Sequence, residues 1–548
     1  MKRVWKYMLF PVTVLTMIVT EAAERPHVLV IVLDDFGTGQ FAPMARQLEL
    51  DQIDPGLLAY TDELDEPYDR QAALAAARHA MPFMDTLAGH GVLFSRAFAA
   101  NSLCAPSRQA ILTGSNPLRW GAYRNIDVEA CGLQERSLAG RFRDVGYRTA
   151  FIGKWHVGPW DTNLLAEVEA RGGTYADALD AGYEGSVREA DHPLNNGFDY
   201  AFFYNRWECP YYGSRLLWED RTFTGVQPEY NTDLFTRKAA AFLAKALDEE
   251  RPFFLQLAFH TAHLPLDVDA PEAYSGRFDT GHPAINRFYT HLFAVDSAVK
   301  RLVDMLRARG VWENTILFFT SDNGATCKVG NGDLSLIPGN GIHRGHKGQY
   351  FLGGIRVPLL MTWPAGIREP ARIDAAVSLM DILPTALAAA GAAIPEGIDG
   401  RSLLPLIAGE TPSVHERLYF AGIHAAAWGY SGAYVYGDAQ ARRDLWPGAW
   451  AVVEGDYILR FVGRLDRGLE QAWPEGRPSH LALYDLADDP IEQHDLSKRD
   501  PERVERMKRD FQSFAKELPP PHRWDRRRWE ELIAQGDAQM NTDRRPLQ

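Results

Sequence analysis

The sequence is poor in cysteine, in basic charge and in long apolar runs. Four cysteines in 548 residues, Cys104, Cys131, Cys209 and Cys327, are too few to staple a chain of this size, which excludes a disulfide framework. None of the 14 asparagines begins an Asn-x-Ser/Thr acceptor, an absence that favours a bacterial setting for an exported chain. Lys and Arg number 58 against 72 Asp and Glu, a formal net charge of −14. Such a balance excludes a general nucleic-acid binder, because that binding rests on neutralised phosphates. It leaves room for one local basic pocket holding an anionic substrate. The single conspicuous apolar run, residues 8–20 (MLFPVTVLTMIVT), is shorter than the roughly 20 residues of a membrane span. It follows Lys2, Arg3 and Lys6 and leads to Glu21-Ala22-Ala23, the layout of a cleaved secretion signal over 1–23. The expectation is an exported protein, periplasmic or secreted, without membrane attachment after cleavage.

What remains is ordinary globular composition, 46% hydrophobic and 24% charged, in a chain long enough for more than one domain. Continuous apolar runs at 27–33, 148–153, 252–260, 314–320 and 357–363 read as strands buried on both faces. Helical stretches at 232–249 and 286–309 lie between them. Strands alternating with helices predict an α/β fold with a largely parallel sheet covered on both sides. The pattern changes near 408–415, after which strand-like pieces stand at 417–421, 450–462 and 480–486. The expected domains are therefore 24–410 and a smaller α+β domain over 411–520, followed by a polar tail over 521–548. Residues 40–80, with six acidic residues between Asp51 and Glu66 and a helix at 69–80, read as an insertion.

The positions of the polar residues are more informative than their number. The run 27–33 ends in Asp34-Asp35, 148–153 in Lys154-Trp155-His156, 252–260 in His260 with His263 beyond it, and 314–320 in Ser321-Asp322-Asn323. Ligands of open α/β sheets bind outside the carboxyl ends of the strands, so these groups can converge. Asp34, Asp35, Asp322 and Asn323 offer only oxygen donors, a set suited to Ca²⁺ or Mg²⁺ rather than zinc. Two adjacent aspartates reach one ion only where the strand has ended, since strand neighbours point to opposite faces. Asp-Asp before a glycine turn is also common loop chemistry. Cys104 precedes Pro106 and Ser107, good helix-opening residues, which places it at a helix N-terminus where an anion is favoured, one turn from Arg108. A buried apolar cysteine and an activated thiolate are the competing readings of that residue.

The segment CAPSRQAILTG (104–114) resembles the signature of the formylglycine-dependent, type I sulfatases of the alkaline-phosphatase-like superfamily. Matching segments follow in that family's order: LDDFGTG (33–39), GYRTAFIGKWHVG (146–158), SDNGA (321–325), HKGQYFLGGIRVPLLMTWP (346–364) and LYDLADDPIEQHDLS (483–497). The resemblance spans nearly all of the chain after 1–23 and diverges at 40–80 and 161–220. It implies a large mixed, mostly parallel sheet sandwiched by helices, with a smaller C-terminal domain on a short antiparallel sheet. It also implies that a maturation enzyme converts Cys104 to formylglycine, whose hydrate attacks the sulfate ester to form a sulfated-enzyme intermediate. Asp34, Asp35, Asp322 and Asn323 would then hold one Ca²⁺ that also touches residue 104. Arg108 would stabilise the hydrate, Lys154 and Lys347 would bind sulfate oxygens, His156 would act as the base that expels sulfate and regenerates the aldehyde, and His263 would protonate the leaving alcohol or contact the sulfate.

The implied roles fit elementary chemistry. Cations must offset charge on the anionic group, and a geminal diol allows sulfate to leave by elimination, which an ordinary Ser or Cys nucleophile does not. Histidine shuttles protons near neutral pH. The aromatic-rich segment 198–218 leans toward a sulfated carbohydrate, with Arg206, Arg215 and His260 as further candidate substrate contacts, although most of its rings are expected in the core. Two alternatives stay open. One is a phosphonate monoester or phosphodiester hydrolase of the same superfamily. The other is a non-catalytic binder of sulfated glycans, which the retention of Cys104, Arg108 and every metal position disfavours.

Overall fold

In strand β1 (His27–Leu33), Val28, Val30 and Val32 enter one apolar core while Leu29, Ile31 and Leu33 enter another. A strand with two dry faces has no polar position to spare, which is why HVLVIVL runs without alternation. The structure, a computed structural model, describes residues 25–62, 67–329, 334–422, 449–462, 481–520 and 522. The expected signal at 1–23 and almost all of the expected tail at 521–548 lie outside the described residues.

The strands after β1 are β2 (Val92–Phe98), β3 (Arg148–Lys154), β4 (Tyr200–Tyr204), β5 (Trp218–Glu219), β6 (Thr222–Phe223), β7 (Phe253–Ala258), β8 (Thr315–Ser321), a small ribbon of β9 (Lys328–Val329) and β10 (Leu334–Ser335), then β11 (Leu359–Thr362) and β12 (Ala371–Ser378). Nine of them and β1 form one sheet in the order β12-β2-β11-β8-β1-β7-β3-β4-β5-β6. The central run from β8 to β4 is parallel throughout, whereas β11 is antiparallel to both β8 and β2. The sheet is thus mixed and mostly parallel. Helices Asn231–Asp248 and Pro283–Ala308 cover the Leu29 face, and helices Cys104–Thr113 and Ile382–Ala389 cover the Val28 face.

A separate antiparallel sheet joins β13 (Leu418–Gly422), β14 (Ala449–Glu454), β15 (Tyr457–Val462) and β16 (Leu481–Asp485) in chain order. The single strand-like piece expected at 450–462 is two strands, because Gly455, at φ +58°, and Asp456 turn the chain back on itself. Apolar runs flanking a two-residue turn look continuous in the sequence. One face of this sheet is covered by helix Pro501–Lys516, with Phe511 stacked on Trp450 at 4.1 Å between ring centroids. The other face packs on Phe98, Tyr350 and Leu352 of the larger body. No described helix is long and apolar enough to cross a membrane.

Candidate active site

The strands β8, β1, β7 and β3 are consecutive neighbours and parallel, so their carboxyl ends share one edge. That edge receives the four polar groups singled out in the sequence. The Asp34 N–H donates to the Thr261 carbonyl at 3.0 Å, and the Asp322 N–H donates to the Leu33 carbonyl at 3.1 Å, which ties the loops together. Asp35 and His156 lie just beyond their strands at φ +58° and +51°, left-handed conformations that residues other than glycine uncommonly adopt. Strand β3 closes on β7 only because residue 153 is glycine: a Cβ there would stand 1.8 Å from the Ala258 carbonyl oxygen.

Cys104 is the first residue of helix Cys104–Thr113, as the Pro106-Ser107 pair predicts. The Ser107 hydroxyl donates to the Asn101 carbonyl at 2.8 Å, and the Asn101 side chain accepts from the Leu103 N–H at 3.1 Å, which fixes the entry to the helix. The Cys104 Sγ is fully buried, 3.8 Å from Asp35 Oδ1. Burial pushes this thiol well above its ordinary range, against the pull of Lys154 and Lys347. An activated thiolate, one of the readings left open by the sequence, is therefore disfavoured here.

Three cations and three carboxylates surround the sulfur. Arg108 Nε donates to Asp322 Oδ2 at 2.9 Å, and its Nη1 donates to the Lys154 carbonyl at 2.9 Å. The Lys154 Nζ donates to Asp34 Oδ2 and to the Trp207 carbonyl, both at 2.6 Å. The Lys347 Nζ donates to Asp35 Oδ2 at 2.8 Å. Burial works against the Asp35 charge, but Lys347, His263 and Lys154 together outweigh it and hold the carboxyl below its ordinary range. Burial instead pushes Asp322 up to about 6, despite Arg108. The formal charges of these six side chains cancel, so a divalent cation would leave the cluster at +2 and receptive to an anion.

The fit for such a cation is testable on the protein's own atoms. Asp34 Oδ1 and Asn323 Oδ1 are buried and accept no hydrogen bond. Side-chain ligand atoms of Asp34, Asp35, Cys104 and His263 all lie within 4.8 Å of one another. Bare buried oxygens beside paired carboxylates suit a hard cation. Asp34, Asp35 and Asn323 are thus brought together with Asp322, whose Oδ1 accepts the Asp35 N–H at 3.2 Å.

All three histidines named from the sequence are in the cluster. His263 Nδ1 lies 2.6 Å from the Leu264 carbonyl, which places its proton on Nδ1 and leaves Nε2 3.7 Å from Asp35 Oδ2. His260 is deeper, with Nδ1 3.1 Å from the Tyr204 hydroxyl and 3.9 Å from Asp34 Oδ2. Burial holds both well below the ordinary histidine range. His156 Nε2 lies 3.1 Å from Glu129 Oε1, and its Nδ1 is buried without a partner. A carboxylate only accepts, so Nε2 carries the proton and Nδ1 is a bare base.

Glu129 and Tyr204 escaped the sequence reading. Each is one polar residue within a helix or an apolar strand, and only the fold shows which histidine it meets. Arg206 and Arg215 both line a cleft of about 760 Å³ that reaches Tyr211 and Pro265, beside His260 and His263. Each is already ion-paired there, Arg206 with Glu184 and Arg215 with Asp180 at 2.7 Å. Of the rings in 198–218, Phe198, Phe202, Phe203, Tyr204 and Tyr211 are core, while Trp207 and Tyr212 are exposed.

The family model named Sulfatase matches residues 26–392. The sulfatase YdeN of Escherichia coli strain K12 is 34% identical over 385 residues, covering 70% of this chain and 66% of its own. This chain therefore spans just under two thirds of that relative's length. Arylsulfatase A of Bos taurus is 28% identical over 473 residues, 80% of this chain and 82% of its own. Among solved structures, Ps i-CgsB in complex with k-i-k-neocarrahexaose superposes with a TM-score of 0.68 at 22% identity, over 95% of this chain and 98% of its own. The phosphonate monoester hydrolase of Agrobacterium radiobacter gives 0.51 at 18% identity, over 90% and 96%. At these identities the structural likenesses speak to the fold alone.

Proposed function

Because the chain belongs to the sulfatase family, we propose that it hydrolyses sulfate esters carried on a carbohydrate and releases inorganic sulfate. The observation that carries this reading is the convergence on the buried Cys104 sulfur of Asp34, Asp35, Arg108, Lys154, His263 and Lys347. In the proposal Cys104 is exported with the chain and matured to formylglycine by a separate enzyme, and the hydrated aldehyde supplies the attacking hydroxyl. One Ca²⁺, held by Asp34, Asp35, Asp322 and Asn323, supplies fixed positive charge against the anionic group when bound.

The side chains divide the remaining work. Lys154 and Lys347 each keep an ammonium beside the reacting position and turn it to sulfate oxygens, where charge grows in the transition state. Arg108 holds Asp322 and the Lys154 backbone and so fixes the helix start against the strand ends. His156 takes a proton at its bare Nδ1 as sulfate departs, and His263 serves the leaving alcohol through Nε2. The cleft beside the histidines, with Tyr211 and Tyr212 in its wall, has the volume of a sugar-binding site. That Ps i-CgsB was solved with a neocarrahexaose supports a carbohydrate as the substrate class.

The test is sulfate release from a panel of sulfated oligosaccharides, set against matched phosphate mono- and diesters. Release of sulfate that is lost in Cys104→Ala supports the assignment. Faster turnover of the phosphorus esters would move the chain to the phosphonate and phosphodiester branch of the superfamily.

A further inference from the structure

A second cavity, of about 490 Å³, lies between the edge of the large sheet and the small sheet and shares no lining residue with the cluster around Cys104. One wall is the Thr38-Gly39 turn, a few residues after Asp35. The rest carries an unusual charge pattern. Arg356, only 6% exposed, donates through Nη2 to the Ser95 carbonyl and sits 5.3 Å over the Phe98 ring. Its Nε is buried without an acceptor, and no described carboxylate lies within ion-pair distance of it. The two carboxylates in the cavity wall are engaged elsewhere: Asp456 by Arg96, and Asp374 by the Ser95 hydroxyl and by Arg372 at 3.4 Å. The Arg96 Nε is also buried and unpartnered.

Three guanidinium groups therefore face two carboxylates, and the most buried of the three has none. Burial and the charges of Arg96 and Arg372 push Arg356 down to about 9, the mark of a cation short of a counter-charge. A buried charge without a partner is costly, and a planar guanidinium matches the oxygens of sulfate or phosphate. The volume far exceeds one such ion and falls in the range of sites for drug-sized ligands.

We propose that this cavity binds an oxyanion, specifically a sulfate group on a sugar unit other than the one being cleaved. The oxyanion site stands on its own geometry, and the sugar-borne source rests on the proposed function.

The experiment is calorimetric titration of the full-length protein at fixed ionic strength, first with inorganic sulfate and then with a sulfated hexasaccharide. Two variants separate the sites. Arg372→Glu reverses a charge in the cavity at an exposed position, and Lys347→Ala alters the Cys104 cluster. Arg356→Lys, which keeps the buried charge, controls for folding. The expected result is two sulfates per wild-type chain. Arg372→Glu should weaken the second at least tenfold and leave the first, Lys347→Ala should do the reverse, and Arg372→Glu should weaken the hexasaccharide by a similar factor. If only inorganic sulfate responds to Arg372→Glu, the oxyanion site stands and its sugar-borne source is overturned. If sulfate binding is the same in wild type and Arg372→Glu, the site itself is overturned, whatever the catalytic assay shows.

Discussion

The Glu129 carboxylate lies 3.1 Å from Nε2 of His156, a contact that fixes which ring nitrogen carries the proton and leaves Nδ1 bare inside the protein. Burial lowers the His156 pKa to about 4, and Glu129 opposes that shift. Removing Glu129 should release the ring and deepen the shift. Glu129→Ala is expected to lower kcat about 10- to 100-fold and KM in step with it, because His156 serves the step after the alcohol has left. The acid limb of the kcat profile, which reports an unprotonated His156 and lies below the ordinary histidine value because burial lowers its pKa, should move lower still. Glu129→Gln keeps an acceptor and should recover most of the rate. A uniform loss in both variants with an unmoved pH limb would reduce Glu129 to a structural role.

Lys347 pairs with Asp35 at 2.8 Å inside the cluster. Lys347→Ala should cost at least about 100-fold in kcat/KM, the scale for one preorganised electrostatic contact. Lys347→Arg should not restore it, because a planar fork does not replace a compact ammonium at a buried site. Steady-state kinetics on an aryl sulfate surrogate would check this, and full activity in the alanine variant would remove Lys347 from the mechanism.

The bare oxygens of Asp34 and Asn323 predict a stability linkage to the cation. A ligand present at about 1,000 times its Kd stabilises the folded state by about 4 kcal/mol. Chelation should therefore lower the melting temperature, and Ca²⁺ should restore it more fully than Mg²⁺ at equal concentration. Asn323→Ala should blunt the calcium response. A melting curve indifferent to chelator would contradict the assigned ligand set.

His291, whose ring packs at 4.3 Å on Tyr211 beside the active cluster, predicts a pH-dependent stability. Its Nε2 lies 2.9 Å from the Val268 carbonyl and its Nδ1 2.6 Å from the Tyr230 hydroxyl, and burial lowers its pKa to about 4. The unfolded chain binds this proton near pH 6.5 and the folded chain only near 4, so stability is retained above 6.5 and lost as pH falls toward 4. The loss is on the order of 3 kcal/mol. Urea unfolding at pH 7 and pH 4.5 should show a smaller drop for His291→Asn than for the wild type, whatever the variant's absolute stability. Equal drops would show that His291 does not carry the linkage.

Much of the large sheet was legible because β1, β3, β7 and β8 are dry on both faces and so unbroken in sequence. The ionisable residues closing each run marked the site for the same reason, since Asp34, Lys154, His260 and Asp322 stand at or just past the carboxyl ends of the strands, each fully buried. Strand direction was not legible: the run 357–363 contains β11, which lies antiparallel between β8 and β2, and an apolar string carries no sign of its polarity. The Gly455 turn was hidden between two apolar strands. Glu129 and Tyr204 were hidden because their role depends on a partner 27 residues away in one case and 56 in the other. Local pattern reports burial, whereas strand direction and pairing across the fold belong to the tertiary structure.

The proposed reaction requires residue 104 to act as formylglycine rather than as cysteine. The direct measurement is the mass of the peptide spanning 104–114, taken together with sulfate release, on one preparation co-expressed with a formylglycine-generating enzyme. An aldehyde or its hydrate at Cys104 is expected, with a rate proportional to the modified fraction. Sulfate release from protein whose Cys104 is wholly thiol would contradict the proposed reaction.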